Sequence, residues 1–399
     1  MDIANSRERS SRRLGGVLPV RSMTKRAPWL NDHNQCWLRM DRIGGLVESN
    51  DAEVRHAERE QRGGGQAEWP VHMRSGRDGL RRSSLRRQIA LASALCTLIG
   101  CEEQARPIPG LGPTGPTEQV ASGHRFTEGP AIDTNGAIYF SDLKEEKIFR
   151  ISPDGTKTTF VEESRRSNGL MVDAARHRLL ACESGAGGQP GSARIVAFAL
   201  EDASMDVVVG GYEGKPFNRL NDLVIDRQGG IYFTDILGGD QGLPQPSTGV
   251  YYATPGGEVT RLVAGLDKPN GVLLSPDEKT LYVLPYGSGT LMAYGVEGPG
   301  LLGAGRVLAD LPKGERDPNA GGDGLTVDSA GNLYVALPAA QALAAFSPAG
   351  EMLGRIPIPE EPSNVVFGGP DRRTLYVTAR SSLYAVPMEA TGHVFGMSP

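Results

Sequence analysis

The chain has 399 residues, enough for two or three domains of average size, and a formal net charge of −5. Residues 1–100 contain 18 Lys and Arg against 11 Asp and Glu, whereas the rest of the chain contains 24 against 36. An acidic body does not suit nucleic-acid binding, which draws its affinity from clustered basic side chains. The sequence has no apolar run near the roughly 20 residues of a membrane-spanning helix.

Residues 1–72 differ from the rest of the chain in having neither apolar periodicity nor a repeat. We interpret them either as a disordered segment or as the result of a start codon assigned too far upstream. Met73 would be a better start, because a secretory signal follows it. Two arginine pairs, at 81–82 and 86–87, precede the apolar stretch 89–99, and small residues come next.

The end of this signal, Leu98-Ile99-Gly100-Cys101, resembles the lipobox of bacterial lipoproteins. The resemblance implies that segment 73–101 is removed up to Cys101, whose thiol is acylated. An ordinary signal peptide with a chance cysteine is the alternative. Residues 102–116 are rich in Gly and Pro and are predicted to form a tether. We therefore expect an exported protein, anchored only by its lipid, on the periplasmic side of a bacterial cell envelope.

Residues 117–390 are predicted to form one repeat domain, because a short phrase returns six times in them. Each copy begins with an acidic or amide residue, and successive copies start 40, 53, 49, 53 and 41 residues apart. Such a period, with several strands in each unit, is typical of a β-propeller. The sequence thus predicts an all-β fold, a six-bladed β-propeller. The six leading residues are Glu128, Asn168, Asn221, Asn270, Asp323 and Asn364.

Short strands are predicted after each copy of the phrase. In the first unit they are 137–140 and 147–151, with a third candidate at 158–161, and turn residues separate them. One isolated sheet would leave both apolar faces in water, so the blades must pack in a closed ring. We expect residues 117–122 to close the ring by pairing with the last blade.

The six leading residues are expected on one face of the propeller, each just before an innermost strand and near the central axis. All of them offer oxygen and none offers sulfur or imidazole. Oxygen donors with one or two carboxylates suit Ca²⁺ first and Mg²⁺ or Mn²⁺ second, with Zn²⁺ left open. The alternative is that these residues form turns, as Asn and Asp often do. Glu128 argues against that alternative, because Glu is a poor turn former.

From residue 126 to residue 386 the chain resembles the gluconolactonase and regucalcin-like lactonase family of six-bladed, calcium-dependent propellers. The motifs are Glu128-Gly-Pro, Ser167-Asn-Gly, Arg219-Leu-Asn-Asp, Pro269-Asn-Gly and Gly322-Asp-Gly. The resemblance implies that the metal ligands are Glu128, Asn221, Asn270 and Asp323. It also implies that Arg219 contacts substrate oxygens and that Asn168 lines the pocket. It assigns Asn364 no role, so we interpret that residue as a turn former.

The expected activity is hydrolysis of a small lactone, which could be a sugar aldonolactone. The cation would polarise the carbonyl, Asp323 would act as general base, and Arg219 would orient the substrate. Asp222 is expected to point to the other face of its strand, away from the substrate. Cys182 is interpreted as a buried apolar residue. Two alternatives stay open: hydrolysis of a phosphotriester or aryl ester at the same site, and a surface propeller that binds a ligand without catalysis.

Overall fold

The computed structural model describes residues 106–395, with gaps at residues 186, 188, 239–241, 315–316 and 318–319. The predicted segments 1–72 and 73–101, and with them the predicted lipidation site Cys101, lie outside the described residues. Within the described part of the chain, no helix has the length and apolar character needed to cross a membrane.

The described residues form six antiparallel sheets of four strands each, which confirms the predicted all-β, six-bladed propeller. Apart from strands they contain two short 3-10 turns, Ala174–Arg176 and Pro338–Ala340, and no α-helix. The blades, from the inner to the outer strand, are as follows. Blade 1 contains β2 (Thr127–Ile132), β3 (Ile138–Asp142), β4 (Lys147–Ile151) and β5 (Lys157–Val161), and blade 2 contains β6 (Ser167–Asp173), β7 (Arg178–Glu183), β8 (Arg194–Ala199) and β9 (Met205–Val209). Blade 3 contains β10 (Leu220–Ile225), β11 (Ile231–Asp235), β12 (Gly249–Ala253) and β13 (Val259–Ala264), and blade 4 contains β14 (Pro269–Leu274), β15 (Thr280–Pro285), β16 (Thr290–Gly298) and β17 (Leu301–Asp310). Blade 5 contains β18 (Leu325–Val327), β19 (Leu333–Leu337), β20 (Ala342–Phe346) and β21 (Met352–Pro357), and blade 6 contains β22 (Pro362–Gly368), β23 (Thr374–Ala379), β24 (Ser382–Pro387) and β1 (Glu118–Ala121).

The ring closes through β1, which pairs antiparallel with β24 and so completes blade 6 from the start of the domain. This confirms the expected role of residues 117–122. Blade 1 is also tied to blade 6, because the Thr127 hydroxyl donates to the Ser382 carbonyl oxygen at 2.9 Å. The Ser363 hydroxyl in turn donates to the Thr127 carbonyl oxygen at 2.8 Å. The start and the end of the domain therefore both contribute strands to blade 6.

The segment 106–116 packs against the propeller, although the sequence placed it in a free tether ending at residue 116. Ile108 and Leu111 are buried in an apolar cluster with side chains of blades 5 and 6. The Leu111 carbonyl oxygen accepts from the Glu389 N–H at 2.9 Å. The Gly and Pro content suggested a linker, but two apolar side chains gain more by covering the blade surface than by staying in water. The folded domain thus begins before residue 117.

Apolar clusters between neighbouring blades form the core. Tyr139 and Ile148 of blade 1 pack with Leu170 and Leu179 of blade 2, and all four are buried. Similar clusters join the other blades around the ring. Because each sheet buries its faces against two neighbours, the blades stabilise one another and none is a stable unit alone.

The repeated phrase is itself the innermost strand of each blade. The sequence predicted the second and third strands of each blade near their observed positions, for example 137–140 for β3 and 147–151 for β4. It placed the leading residues before the inner strands. Five of them lie within the inner strands, and only Asp323 lies before its strand, β18. The alternating apolar pattern that marks a half-exposed strand is missing here, because these strands are buried on both faces.

The glycine that follows the leading residue in four blades allows the inner strands to approach each other closely. A Cβ atom on Gly271 would lie 2.5 Å from the Asp323 carbonyl oxygen of the next blade. One on Gly129 would lie 2.1 Å from the Asn168 carbonyl oxygen, and one on Gly169 would lie 2.3 Å from Asp222 Oδ1. The Gly271 N–H donates to that Asp323 oxygen at 3.0 Å. Glycine is needed here for close approach between blades.

The aspartate at the end of the phrase holds the turn that follows it. Asp133 Oδ1 accepts from the Asn135 and Ala137 N–H groups at 2.8 and 2.9 Å. Asp226 and Asp328 accept from the equivalent turns in blades 3 and 5. The phrase therefore combines three separate requirements: a side chain near the axis, a close approach to the next blade, and a turn.

Replacement of Gly271 by Ala tests the close approach between blades. The added Cβ would meet backbone of the next blade, so we expect Gly271→Ala to lower the free energy of unfolding by about 1–3 kcal/mol. Gly295→Ala is the matched control, because Gly295 lies at the end of the ladder between β15 and β16 with no atom within 4 Å of the added Cβ. Chemical unfolding measures both. Equal effects of the two substitutions would contradict the proposed packing.

Candidate active site

The leading residues of the six blades lie at one end of the central channel and are almost completely buried. Relative exposure is 3% for Glu128 and 7–8% for the four asparagines, and Asp323 is partly buried. Just after this residue the ladder to the second strand is irregular, for example between Glu128 and Ala131 in blade 1. The same irregularity occurs in blades 2, 3 and 4, and in blade 6 the ladder is irregular just before Asn364. A bulge of this kind redirects a side chain from the sheet face, here toward the channel.

Three carboxyl groups from three different blades interact near the channel axis. Burial raises the pKa of Glu128 well above its usual value, and the nearby charges of Asp323 and Asp222 raise it further. Burial, together with the charge of Asp222, raises the pKa of Asp323 to about 7. Burial also raises the pKa of Asp222 to about 7. Three buried acids within electrostatic range of one another disfavour one another's ionisation.

Amide side chains from blades 4 and 6 bind these carboxyl groups. The Asn270 side chain hydrogen-bonds to Asp323, which favours the ionised form of that acid. The Asn364 side chain hydrogen-bonds to both Glu128 and Asp222. The interpretation of Asn364 as a turn former was therefore wrong. It lies within β22, and its amide links two acids that belong to different blades.

Asp222 belongs to the same site, contrary to the expectation that its side chain points away. It occupies the position after the leading residue, where four other blades have glycine. Its Oδ1 atom lies against Gly169 of the preceding blade, in space that a side chain there would fill. Simple alternation along a strand failed because the ladder of β10 is irregular between Leu220 and Leu223. The sequence did contain a signal, because an ionisable residue occupies the position that is glycine in four other blades.

Asn168 and Asn221 occupy the leading positions of blades 2 and 3. Within the described part of the chain, neither side chain hydrogen-bonds to another residue. The Asn168 backbone is fixed, because its carbonyl oxygen accepts from the Ser141 hydroxyl of blade 1 at 2.9 Å. Two amides on fixed backbone, next to the acids but not bound to them, are available to a ligand.

Arg219 lies directly before β10, at the same end of the channel. Its backbone is fixed by Asp235, whose two carboxylate oxygens each accept an N–H, from Asn218 and Arg219, at 2.8 Å. Burial of the guanidinium and the nearby charge of Arg166 lower the pKa of Arg219, although Asp235 opposes them. The structure thus brings the predicted substrate-binding arginine to the rim of the site.

Cys182 is fully buried in β7 and is a free thiol. Burial raises its pKa well above the usual value, and the charges of Asp222 and Asp235 raise it further. A thiol that stays protonated and has no contact with solvent is not a nucleophile. The interpretation as a buried apolar residue agrees with this position.

The donor chemistry of the site fits a hard divalent cation. Among the described residues no three acidic, histidine or cysteine side chains are already gathered as a metal cage. The available set is instead mixed, with Glu128 and Asp323 beside amide oxygens. Burial raises the pKa of Asp222 and of Asp323, and hydrogen bonds from amide and backbone groups only partly offset it. A bound cation would favour the ionised acids, whose mutual repulsion the protein alone leaves uncompensated.

Comparison with known proteins gives consistent matches. Residues 126–381 match the family model described as the SMP-30/Gluconolactonase/LRE-like region. A gluconolactonase of Zymomonas mobilis is 30% identical over 302 residues, which cover 69% of this chain and 82% of that protein. The lactonase drp35 of Staphylococcus epidermidis is 28% identical, over 58% of this chain and 69% of its own length.

Solved structures give the same picture. A gluconolactonase from Xanthomonas campestris superimposes with a TM-score of 0.59 and 31% identity, covering 68% of this chain and 89% of that one. Residues 126–381, which the family model matches, include every position at the channel end that the sequence had singled out.

The raised pKa of Asp222 predicts a pH-dependent stability in metal-free protein. The folded-state pKa of about 7 exceeds the ordinary value of 3.8, so ionisation destabilises the fold as pH rises between these values. We expect Asp222→Asn to raise the free energy of unfolding by on the order of 2 kcal/mol near pH 8, and to have little effect near pH 4. Chemical unfolding at both pH values, with the exposed Glu258→Gln as control, measures this. A gain of equal size at both would contradict it.

Proposed function

Because this chain belongs to the SMP-30/gluconolactonase/LRE-like family, we propose that it is a metal-dependent hydrolase that opens a small lactone, such as a sugar aldonolactone. The observation that supports this most directly is the set of buried acids and amides at one end of the channel. It supplies oxygen donors for a cation and a carboxylate for proton transfer in the same small space. The names of the related lactonases agree with such chemistry.

Glu128, Asn221, Asn270 and Asp323 would hold the cation. Their oxygen donors suit Ca²⁺ best, and Mg²⁺, Mn²⁺ or Zn²⁺ less well. When bound, the cation supplies a Lewis acid that polarises the lactone carbonyl. Asn364 would keep Glu128 and Asp222 in place through its amide. Asn168 is free to donate to a substrate hydroxyl or carbonyl oxygen.

Asp323 would act as the general base. Water attacks the carbonyl carbon and transfers a proton to the Asp323 carboxylate; the ring C–O bond then breaks, and the ring oxygen takes up a proton to become a hydroxyl. Without the cation the pKa of Asp323 is about 7, and a bound cation would favour the ionised carboxylate that a base requires at neutral pH. Arg219 would orient the substrate oxygens from the rim.

Substitution of the two acidic leading residues tests the assignment. We expect Asp323→Asn and Glu128→Gln each to lower kcat/KM for a small lactone by at least about 100-fold, through loss of the base or of the cation. The exposed Glu258→Gln is a control of matched chemistry. Assays with a phosphotriester and an aryl ester beside the lactones would show which substrate class is preferred. Full lactonase activity in either site variant would refute the assignment.

Metal removal gives a separate test. A cation bound only by the folded state stabilises it, by about 2.7 kcal/mol at a free concentration of 100 Kd. We expect Ca²⁺ to raise the melting temperature of chelator-treated wild-type protein and to have a much smaller effect on Asp323→Asn. An unchanged melting curve of the wild type, with and without Ca²⁺, would count against the site.

A further inference from the structure

Basic residues line one half of the rim of the channel. The rim positions are the residues two places before each leading residue, where the chain enters the inner strands. Blades 2, 3 and 4 have a basic residue there, whereas the other three blades have an aromatic residue, a glycine and a proline. The rim positions in chain order are Phe126, Arg166, Arg219, Lys268, Gly321 and Pro362. Positive charge is therefore concentrated on three neighbouring blades, above a floor of buried acids.

Two of these basic residues lie close to each other. Arg166 and Arg219 precede β6 and β10, which are adjacent inner strands, and both side chains are partly buried. Their charges repel each other: burial and then Arg166 lower the pKa of Arg219. Asp235 lies near Arg219 and partly offsets the lowering of its pKa, and the Asp235 oxygens also accept two backbone N–H groups. Two neighbouring guanidinium groups can bind one anion between them.

Arg165 and Arg166 are the central residues of a tight turn, which the Ser167 N–H closes by donating to the Ser164 carbonyl oxygen at 3.0 Å. Arg165 and Arg166 both have left-handed backbone, with φ of 50° and 58°, a conformation that favours glycine. Arg165 has a structural partner, because its Nε atom lies 3.1 Å from Glu183 Oε2. Within the described residues, the Arg166 side chain has neither a hydrogen bond nor an ion pair. A partly buried guanidinium that has no protein partner among the described residues and lies next to Arg219 is available to an anionic ligand.

We propose that Arg166 and Arg219 together bind an anionic group of the substrate, so that the preferred substrate is a lactone bearing a carboxylate or a phosphate. This inference rests on the proposed lactone hydrolysis and adds a substrate class to it. The lactone carbonyl would lie at the acidic end of the channel, and the anionic group would lie at the basic half of the rim. Arg166 is then a specificity-determining residue, because it touches the substituent and not the reacting atoms.

The test compares lactones that share a ring and differ only in the terminal substituent: glucono-1,5-lactone, its 6-phosphate, and the corresponding 6-carboxylate. We expect the wild-type protein to have a higher kcat/KM for one or both anionic lactones than for the neutral one, with a KM for the anionic lactone that rises with salt. In Arg166→Met the ratio of anionic to neutral kcat/KM should fall about 10-fold, as expected for loss of one charge-assisted contact. Comparison of kcat/KM for the 6-phosphate with that for the 6-carboxylate shows which of the two anionic groups the protein prefers.

Arg165→Met is the matched control. It removes a neighbouring charge from the same strained backbone, but Arg194 still pairs with Glu183, so the ratio should not change. Arg166→Lys, which keeps the charge, should retain part of the preference, and melting temperatures check that all variants fold. If the wild type hydrolyses no lactone of either charge, the proposed function itself fails. If it hydrolyses neutral and anionic lactones equally, or if Arg166→Met leaves the ratio unchanged, only the present inference is overturned.

Discussion

The close approach of the six inner strands around the channel is the constraint on which the rest of the structure depends. Glycines such as Gly129 and Gly271 let the backbone of one blade touch the next at the height of the leading residues. The side chains at this height are almost all buried, so any charge placed there is costly. The protein nevertheless places three acids there, Glu128, Asp222 and Asp323, and the result is a set of raised pKa values.

This arrangement explains why stability and chemistry are opposed at the channel end. Buried like charges weaken a fold, and replacement by amides would relieve the repulsion. Their retention is understandable if a cation and a substrate use them. The amides serve the same end, because Asn270 and Asn364 bind the acids and keep them in position without neutralising them. The blades provide the rigidity that such a site requires, since strand-borne side chains are held more precisely than those of loops.

Charge changes sign over a short distance between floor and rim. The floor has the three acids, and the rim has Arg166 and Arg219 on adjacent blades. Such a gradient would orient a polar substrate before any chemistry occurs, because its electron-rich and electron-poor ends meet opposite fields.

Much of this could be predicted from the sequence, and the failures have identifiable causes. The period of the repeated phrase determined the six blades, the closing strand, and the positions of Glu128 and Asp323 at the channel, because repetition of one phrase forces its copies into equivalent places. Only the tertiary structure decided the roles of Asp222 and Asn364. Alternation along a strand predicts side-chain direction only where the ladder is regular, and bulges at these residues break it. The pairing of Arg166 with Arg219 was likewise invisible, because residues more than fifty positions apart become neighbours only when blades pack side by side.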